Sequence, residues 1–140
     1  MQPTILIIDD NEDDVLLTKL ILLKTGRDFK TEVALSGEAG LALIRGGKTP
    51  PKLILLDLKM PQMDGIEVLC KIREDENLSS IPVVIVTHSD LISDEQASAN
   101  AGADSFLHKK TDLDQFKEDI ERVLDRWLDT NALHLRNQYN

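Results

Sequence analysis

The chain has 140 residues and a formal net charge of −9. That length suits one domain with a full-sized core, and the charge argues against a dedicated nucleic-acid binder or a binder of anionic membranes. A single cysteine, Cys70, rules out an internal disulfide and fits a reducing cytosol. No apolar run approaches the length of a membrane span, and no signal segment precedes the first apolar run.

In chain order, Thr4 to Ile8 is a short β-branched run read as the first strand, and it ends in Asp9-Asp10. Asp10 or Asn11 caps a helix whose apolar face is expected to be Leu16, Leu20 and Leu23. The acidic run Glu12 to Asp14 suits the start of that helix, and Gly26 suits its end. Phe29 to Leu35 reads as a second strand. Ser36 begins a helix that reaches about Arg45 and stops at Gly46-Gly47.

A loop with Pro50-Pro51 leads into the apolar run Leu53 to Leu56, followed at once by Asp57. A continuous run of this kind suits a strand buried on both faces of a parallel sheet. Asp64 caps a third helix running to about Asp75. Pro82 to Thr87 is another wholly apolar strand, ending in a hydroxyl. The helix from about Leu91 to Ala101 carries few large apolar side chains and is expected to be the most weakly anchored. Asp104 to His108 is the last strand, with Lys109-Lys110 after it. Thr111 or Asp112 caps a final helix with Leu113, Phe116, Ile120, Val123 or Leu124, and Trp127 at helical spacing.

Strand and helix alternate five times, which implies an α/β fold: a five-stranded parallel sheet with helices on both faces. The flavodoxin-like strand order for such a chain is 2-1-3-4-5. The residues just past each strand then share one edge: Asp9 and Asp10, Asp57, Thr87 and Lys109. Two unit charges about 4 Å apart repel by about 4 kcal/mol at an effective dielectric near 20. Three crowded carboxylates therefore call for a bound cation or a shared proton. An all-oxygen set suits magnesium. With Lys109 it suits phosphoryl transfer to a carboxylate, with Asp57 as nucleophile. The stretch Ala42 to Thr49 nearly spells a phosphate-binding loop, but Ala42 stands where a glycine is needed and a helix precedes it.

Four segments resemble the receiver domain of two-component response regulators. They are Ile7 to Asp10, Leu56 to Gly65, Pro82 to Thr87, and Gly102 to Lys109, in that order. The resemblance runs from about Thr4 to Leu128, giving a receiver domain at 3–128 and a C-terminal extension or tail at 129–140. It implies that Asp57 is the phosphoacceptor and that Asp10, Asp57 and the backbone carbonyl of Lys59 ligate magnesium, with Asp9 acting through water. It also implies that Thr87 and Phe106 are the switch pair and that Lys109 binds the phosphoryl group. The donor would be a sensor histidine kinase in the cytoplasm and the reader an unknown downstream protein. The signal would pass through the helix 4, strand 5 and helix 5 face, and no nucleic acid, membrane or enzymatic turnover would be involved.

Two departures stand out. The family usually has proline after the lysine, often with a cis bond; here it is Lys110, where a cis bond would cost about 3 kcal/mol. A small residue usually follows the switch hydroxyl; here it is His88, which would narrow access to the phosphoryl group. The loop before the third strand, the lysine without proline and the Trp127-Leu128-Asp129-Thr130 ending further resemble small regulators paired with bacterial phytochromes. That implies a photoreceptor kinase as partner. Because those regulators dimerise and the apolar stripe runs on past Trp127, a symmetric homodimer is expected. Alternatives are a phosphorelay shuttle, an unphosphorylated pseudo-receiver, and a magnesium-dependent phosphohydrolase. The last would need a second Asp where Lys59 stands.

Overall fold

The three most apolar runs become the inner strands of one parallel sheet in the computed structural model, which describes residues 2–47 and 49–128. The strands are β1 (Thr4–Ile8), β2 (Lys30–Ala34), β3 (Leu53–Leu56), β4 (Val83–Thr87) and β5 (Ser105–His108). Their order is β2-β1-β3-β4-β5, so the flavodoxin-like expectation holds. Between and after them lie α1 (Glu12–Lys24), α2 (Gly37–Gly46), α3 (Gly65–Glu74), α4 (Ile92–Asn100) and α5 (Leu113–Trp127).

Side chains on a strand alternate between faces, and the sheet divides its core that way. Leu6, Ile8, Ile54, Leu56, Val83 and Ile85 face one cluster, closed by Leu41 and Ile44 of α2 and by Val68, Leu69 and Ile72 of α3. Ile5, Ile7, Leu53, Leu55, Val84 and Val86 face the other, closed by Val15, Ile21 and Leu22 of α1 and by Phe116, Ile120, Val123 and Leu124 of α5. Each cluster is continuous across the sheet, which is why the inner strands are apolar throughout except at their ends, Thr4 and Thr87.

Helix starts follow the sequence closely. Asn11, Ser36, Asp64 and Asp112 each accept a hydrogen bond from the first turn they cap, satisfying backbone donors that the helix itself leaves free. Helix α4 is the exception: Leu91 stands at its cap and offers no side-chain acceptor.

The expected apolar face of α1 is corrected. Leu16, Leu20 and Leu23 are exposed, at 59%, 47% and 72%. The buried face is Val15, Thr18, Ile21 and Leu22. Leucines occur on both sides of this helix, so periodicity alone offers two faces; packing against α5 selects the β-branched one. Leu113 is likewise exposed, at the very start of α5, while the rest of that stripe from Phe116 onward is buried or packed on the core. The second strand is shorter than expected, with Phe29 and Leu35 outside it. The Lys109–Lys110 peptide is trans, as is every described bond. Lys48 of the rejected phosphate loop, and the tail from 129 to 140 with His134, lie outside the described residues.

Candidate functional site

The parallel ladder sets the carboxylates side by side. Ile8 of β1 pairs with Leu56 of β3, so Asp9 and Asp57 both stand one residue past a paired position. The amide of Asp57 donates to the carbonyl of Ile8 at 2.8 Å, and the amide of Asp9 donates to the carbonyl of Ala34 at 3.1 Å. On the other side, the amide of Lys109 donates to the carbonyl of Thr87 at 2.8 Å. Backbone bonding thus continues one residue beyond the strands and fixes the direction of each functional side chain.

Carboxylate oxygens of Asp9, Asp10 and Asp57 lie within 4.8 Å of one another. Asp9 and Asp57 are buried, and Asp10 is exposed at the mouth. The Lys109 ammonium reaches in between them, 2.7 Å from Asp9 Oδ2 and 3.5 Å from Asp57 Oδ1. Its side chain is 3% exposed. Thr87 is buried at the same edge, where its hydroxyl accepts from the amide of Ser89 at 3.2 Å. Phe106, on β5, is half-buried against the α3-side core and meets His108 edge-on at 5.4 Å between ring centres.

Burial pushes the Asp57 carboxyl up to about 6; the Lys109 charge opposes this, and the Asp9 and Asp10 charges add to it. Burial alone would lower Lys109, but its contacts with Asp9, Asp57 and Asp14 hold its pKa above the ordinary lysine value. Three carboxylates against one ammonium leave a local excess of negative charge when all are ionised. The donor set is all oxygen, which is the chemistry of a hard divalent cation. A cation there would neutralise Asp57 without protonating it.

The loop carrying Asp57 is held from below by α3. The Gly65 amide donates to the carbonyl of Leu58 at 2.8 Å. A Cβ on Gly65 would lie 2.4 Å from the carbonyl oxygen of Asp57 and 2.8 Å from the Leu58 Cα, both backbone atoms that cannot step aside. Gly65 is therefore required for close approach, not for an unusual φ. Lys59 extends outward, and its ammonium pairs with Asp94 of α4 at 3.2 Å.

Two partners were not assigned to this site from sequence. Asp14, on the first turn of α1, lies 3.1 Å from Lys109 Nζ. The same oxygen lies 3.0 Å from His88 Nε2. From sequence Asp14 is one of the acidic run Glu12 to Asp14, a solvated helix start that deepens the negative pocket; its partner Lys109 lies 95 residues away, beyond any short-range signal. Asp94 is the second. It accepts from the Ser89 hydroxyl as well as from Lys59, and so ties α4 to the loops after β3 and β4.

Comparison with known proteins agrees with this geometry. The response regulator receiver domain model matches residues 5–121. The probable methanogenesis regulatory protein FilR2 of Methanothrix harundinacea is 32% identical over 91% of this chain and 84% of its own. The structure of the phosphorylated cyanobacterial phytochrome response regulator RcpA superposes with a TM-score of 0.83, at 28% identity over 93% of this chain and 96% of that one. A Mn(2+)-bound form of response regulator Rcp1, a protein known from Synechocystis, superposes at 0.80 with 31% identity, over 91% and 96%. Receiver domains bind Mg2+ in an acidic pocket of this kind, and the three clustered carboxylates fit such an ion. This chain belongs to the response regulator receiver domain family of two-component signalling.

Proposed function

We propose that the chain is a phosphoacceptor regulator that takes a phosphoryl group from a sensor histidine kinase onto Asp57. The carrying observation is Lys109 Nζ, buried among carboxylates and 3.5 Å from Asp57 Oδ1, at the edge where Asp9 and Asp10 converge. A carboxylate oxygen of Asp57 attacks the donor phosphorus, the bond from phosphorus to the donor nitrogen breaks, and the imidazole leaves with that electron pair. Asp9, Asp10, Asp57 and the Lys59 carbonyl would hold magnesium, which would supply charge neutralisation for the transferring oxygens. Lys109 pairs with a phosphoryl oxygen, and Thr87 donates its hydroxyl to another.

Thr87 and Phe106 form the proposed switch pair, and α4, β5 and α5 the signalling face. The protein on this reading turns over no substrate beyond its own phosphoryl group, and its receiver unit runs from 3 to 128. Likeness to RcpA, a phytochrome response regulator, supports a phytochrome-type photoreceptor kinase as the donor. A homodimer through the α5 side is proposed on two features there. A cleft of about 220 Å³ lies between β5 and the end of α5. At that end the buried indole nitrogen of Trp127 has no hydrogen-bond partner among the described residues.

Intact mass after exposure to acetyl phosphate and magnesium tests the central reading. The expected result is one added phosphoryl group, absent from Asp57→Asn. No gain in the wild type would instead favour a docking domain that works without phosphorylation.

A further inference from the structure

The departure at His88 and the unabsorbed acid at Asp14 meet at one atom. Asp14 Oδ2 lies 3.1 Å from Lys109 Nζ and 3.0 Å from His88 Nε2. The contact bridges α1 to the loop after β4, across the mouth that Asp10, Asn11, Asp57 and Lys59 also line. Lys109 is thus shared among three carboxylates. It sits nearest Asp9 at 2.7 Å, next nearest Asp14, and farthest from Asp57 at 3.5 Å. The His88 ring lies mostly in solvent over this pair, while the Asp14 side chain beneath it is 17% exposed.

An acid in the first turn of a helix ordinarily needs no explanation beyond the helix dipole. Here burial would push the Asp14 carboxyl up, yet its hydrogen bond and charge contact with Lys109, then those with His88, bring it below the ordinary value. A phosphoryl group on Asp57 adds about 1.5 to 2 negative charges, and Lys109 must turn toward it. Asp14 competes for that lysine and also repels an incoming anionic donor.

We propose that Asp14 is a positioning residue that parks Lys109 away from the phosphoryl position, with His88 latching it from outside, so that the pair slows phosphorylation of Asp57. This rests on Asp57 being the acceptor. The step itself is unchanged by the latch: Asp57 attacks the phosphorus of the donor, and with acetyl phosphate the bond to the acetate oxygen breaks and acetate leaves. What the latch changes is how readily the ammonium reaches the transferring oxygens.

A charge-assisted hydrogen bond is about twice as strong as a neutral one. Replacing the Asp14 carboxylate by an amide is therefore expected to speed phosphorylation on the order of tenfold. The test measures the rate with acetyl phosphate and magnesium in four proteins: wild type, Asp14→Asn, His88→Ala and the double variant. The expected result is Asp14→Asn roughly tenfold faster, His88→Ala roughly threefold faster, and the double variant no faster than Asp14→Asn alone. Asp14→Glu, which keeps the charge and the charge-assisted bond to Lys109, is expected within about twofold of wild type. In the metal-free protein, the NMR signal of the His88 Nε2 nitrogen should move on Asp14→Asn. An unchanged or slower rate in Asp14→Asn, independent effects that multiply in the double variant, or a stationary His88 signal overturns the proposal. A wild type that takes no phosphoryl group would instead overturn the assignment of Asp57, so the two failures are separable.

Discussion

Helices α3 and α4 are ten and nine residues long, and they are held in opposite ways. Helix α3 buries Gly65, Val68, Leu69 and Ile72, and its first turn starts from the Asp64 cap. Helix α4 buries only Ser98, lacks a side-chain cap, and leaves Leu91 and Ile92 in solvent at its start. Apolar burial is the main favourable term in holding a helix to its sheet. The one beneath Asp57 is therefore part of the scaffold. The one beside it is fastened by side-chain hydrogen bonds through Asp94, which can be exchanged at little cost. The proposed switch, a site that keeps its geometry while its surroundings change, would need both kinds of support.

The largest test of this contrast is a pair of truncations. Leu69→Ala, at a fully buried position, is expected to cost about 2–5 kcal/mol in denaturant unfolding. Ile92→Ala, at an exposed position on α4, should stay within about 0.5 kcal/mol. Similar losses at both sites would break the comparison.

Next in size is Asp57, the proposed acceptor. A folded-state pKa of about 6 for Asp57 lies above the ordinary 3.8. The stability linked to this group is therefore fully present below about pH 3.8 and lost as pH rises through about 6. The difference corresponds to about 3 kcal/mol. Metal-free protein should accordingly gain stability as pH falls from 7 toward 4, and Asp57→Asn should be the more stable protein at pH 7. Magnesium should remove most of the gap in the wild type, and Asp10→Asn should weaken that rescue. A wild-type stability that does not change between pH 7 and 4, without metal, would contradict the assigned charge balance.

Arg73 sharpens the comparison, since it belongs to α3 and serves α4. Its guanidinium donates to the carbonyls of Gly102 at 2.9 Å and Ile81 at 2.8 Å and to the Asp104 carboxylate at 2.9 Å. Arg73→Ala is expected to cost about 2 kcal/mol. Amide exchange should rise first in α4 and the following turn. Exchange rising equally in β1 would show that Arg73 supports the whole domain.

The smallest effect is the most local. Ala97→Gly, on the exposed side of α4, costs about 1 kcal/mol of helix propensity. If α4 opens on its own, its amides should exchange about fivefold faster while those of α3 stay unchanged. A matching rise in α3 would make the two helices one cooperative unit.

Much of this was readable from the chain. The inner strands announce themselves because a strand buried on both faces is nearly all apolar, and Asp9, Asp57 and Lys109 follow such strands or their neighbour directly. The four side-chain caps were visible for the same local reason. The α1 face was not, because Leu16, Leu20 and Leu23 keep helical spacing as well as Val15, Thr18 and Ile21 do; only the position of α5 decides between them. Asp14 and Asp94 were invisible as site residues because their partners lie 95 and 35 residues away. Short-range pattern carries no information about which acid in a cluster a distant lysine meets. Arg73 is the same case, one of two basic residues, with Lys71, in the last turn of its helix.

The Arg73 contacts have a mechanical side. Gly102, at φ +103°, turns the chain out of α4, and Arg73 grips its carbonyl. Two residues on, Asp104 is gripped again and accepts from the Val83 amide at 2.8 Å, at the start of β4. The opposite end of α4 rests on Asp94, against Lys59 and Ser89, and on the Leu91 amide, which donates to the Ser89 hydroxyl at 3.3 Å. Helix α4 is therefore a lever with its fulcrum at the end remote from Asp57. Nine residues of helix span about 13 Å, so a tilt of about 10° carries the first turn about 2 Å and leaves the last turn in place. A protein bound along α4 would sense an angle, and contacts near Leu91 and Ile92 would report it far more strongly than contacts near Asn100.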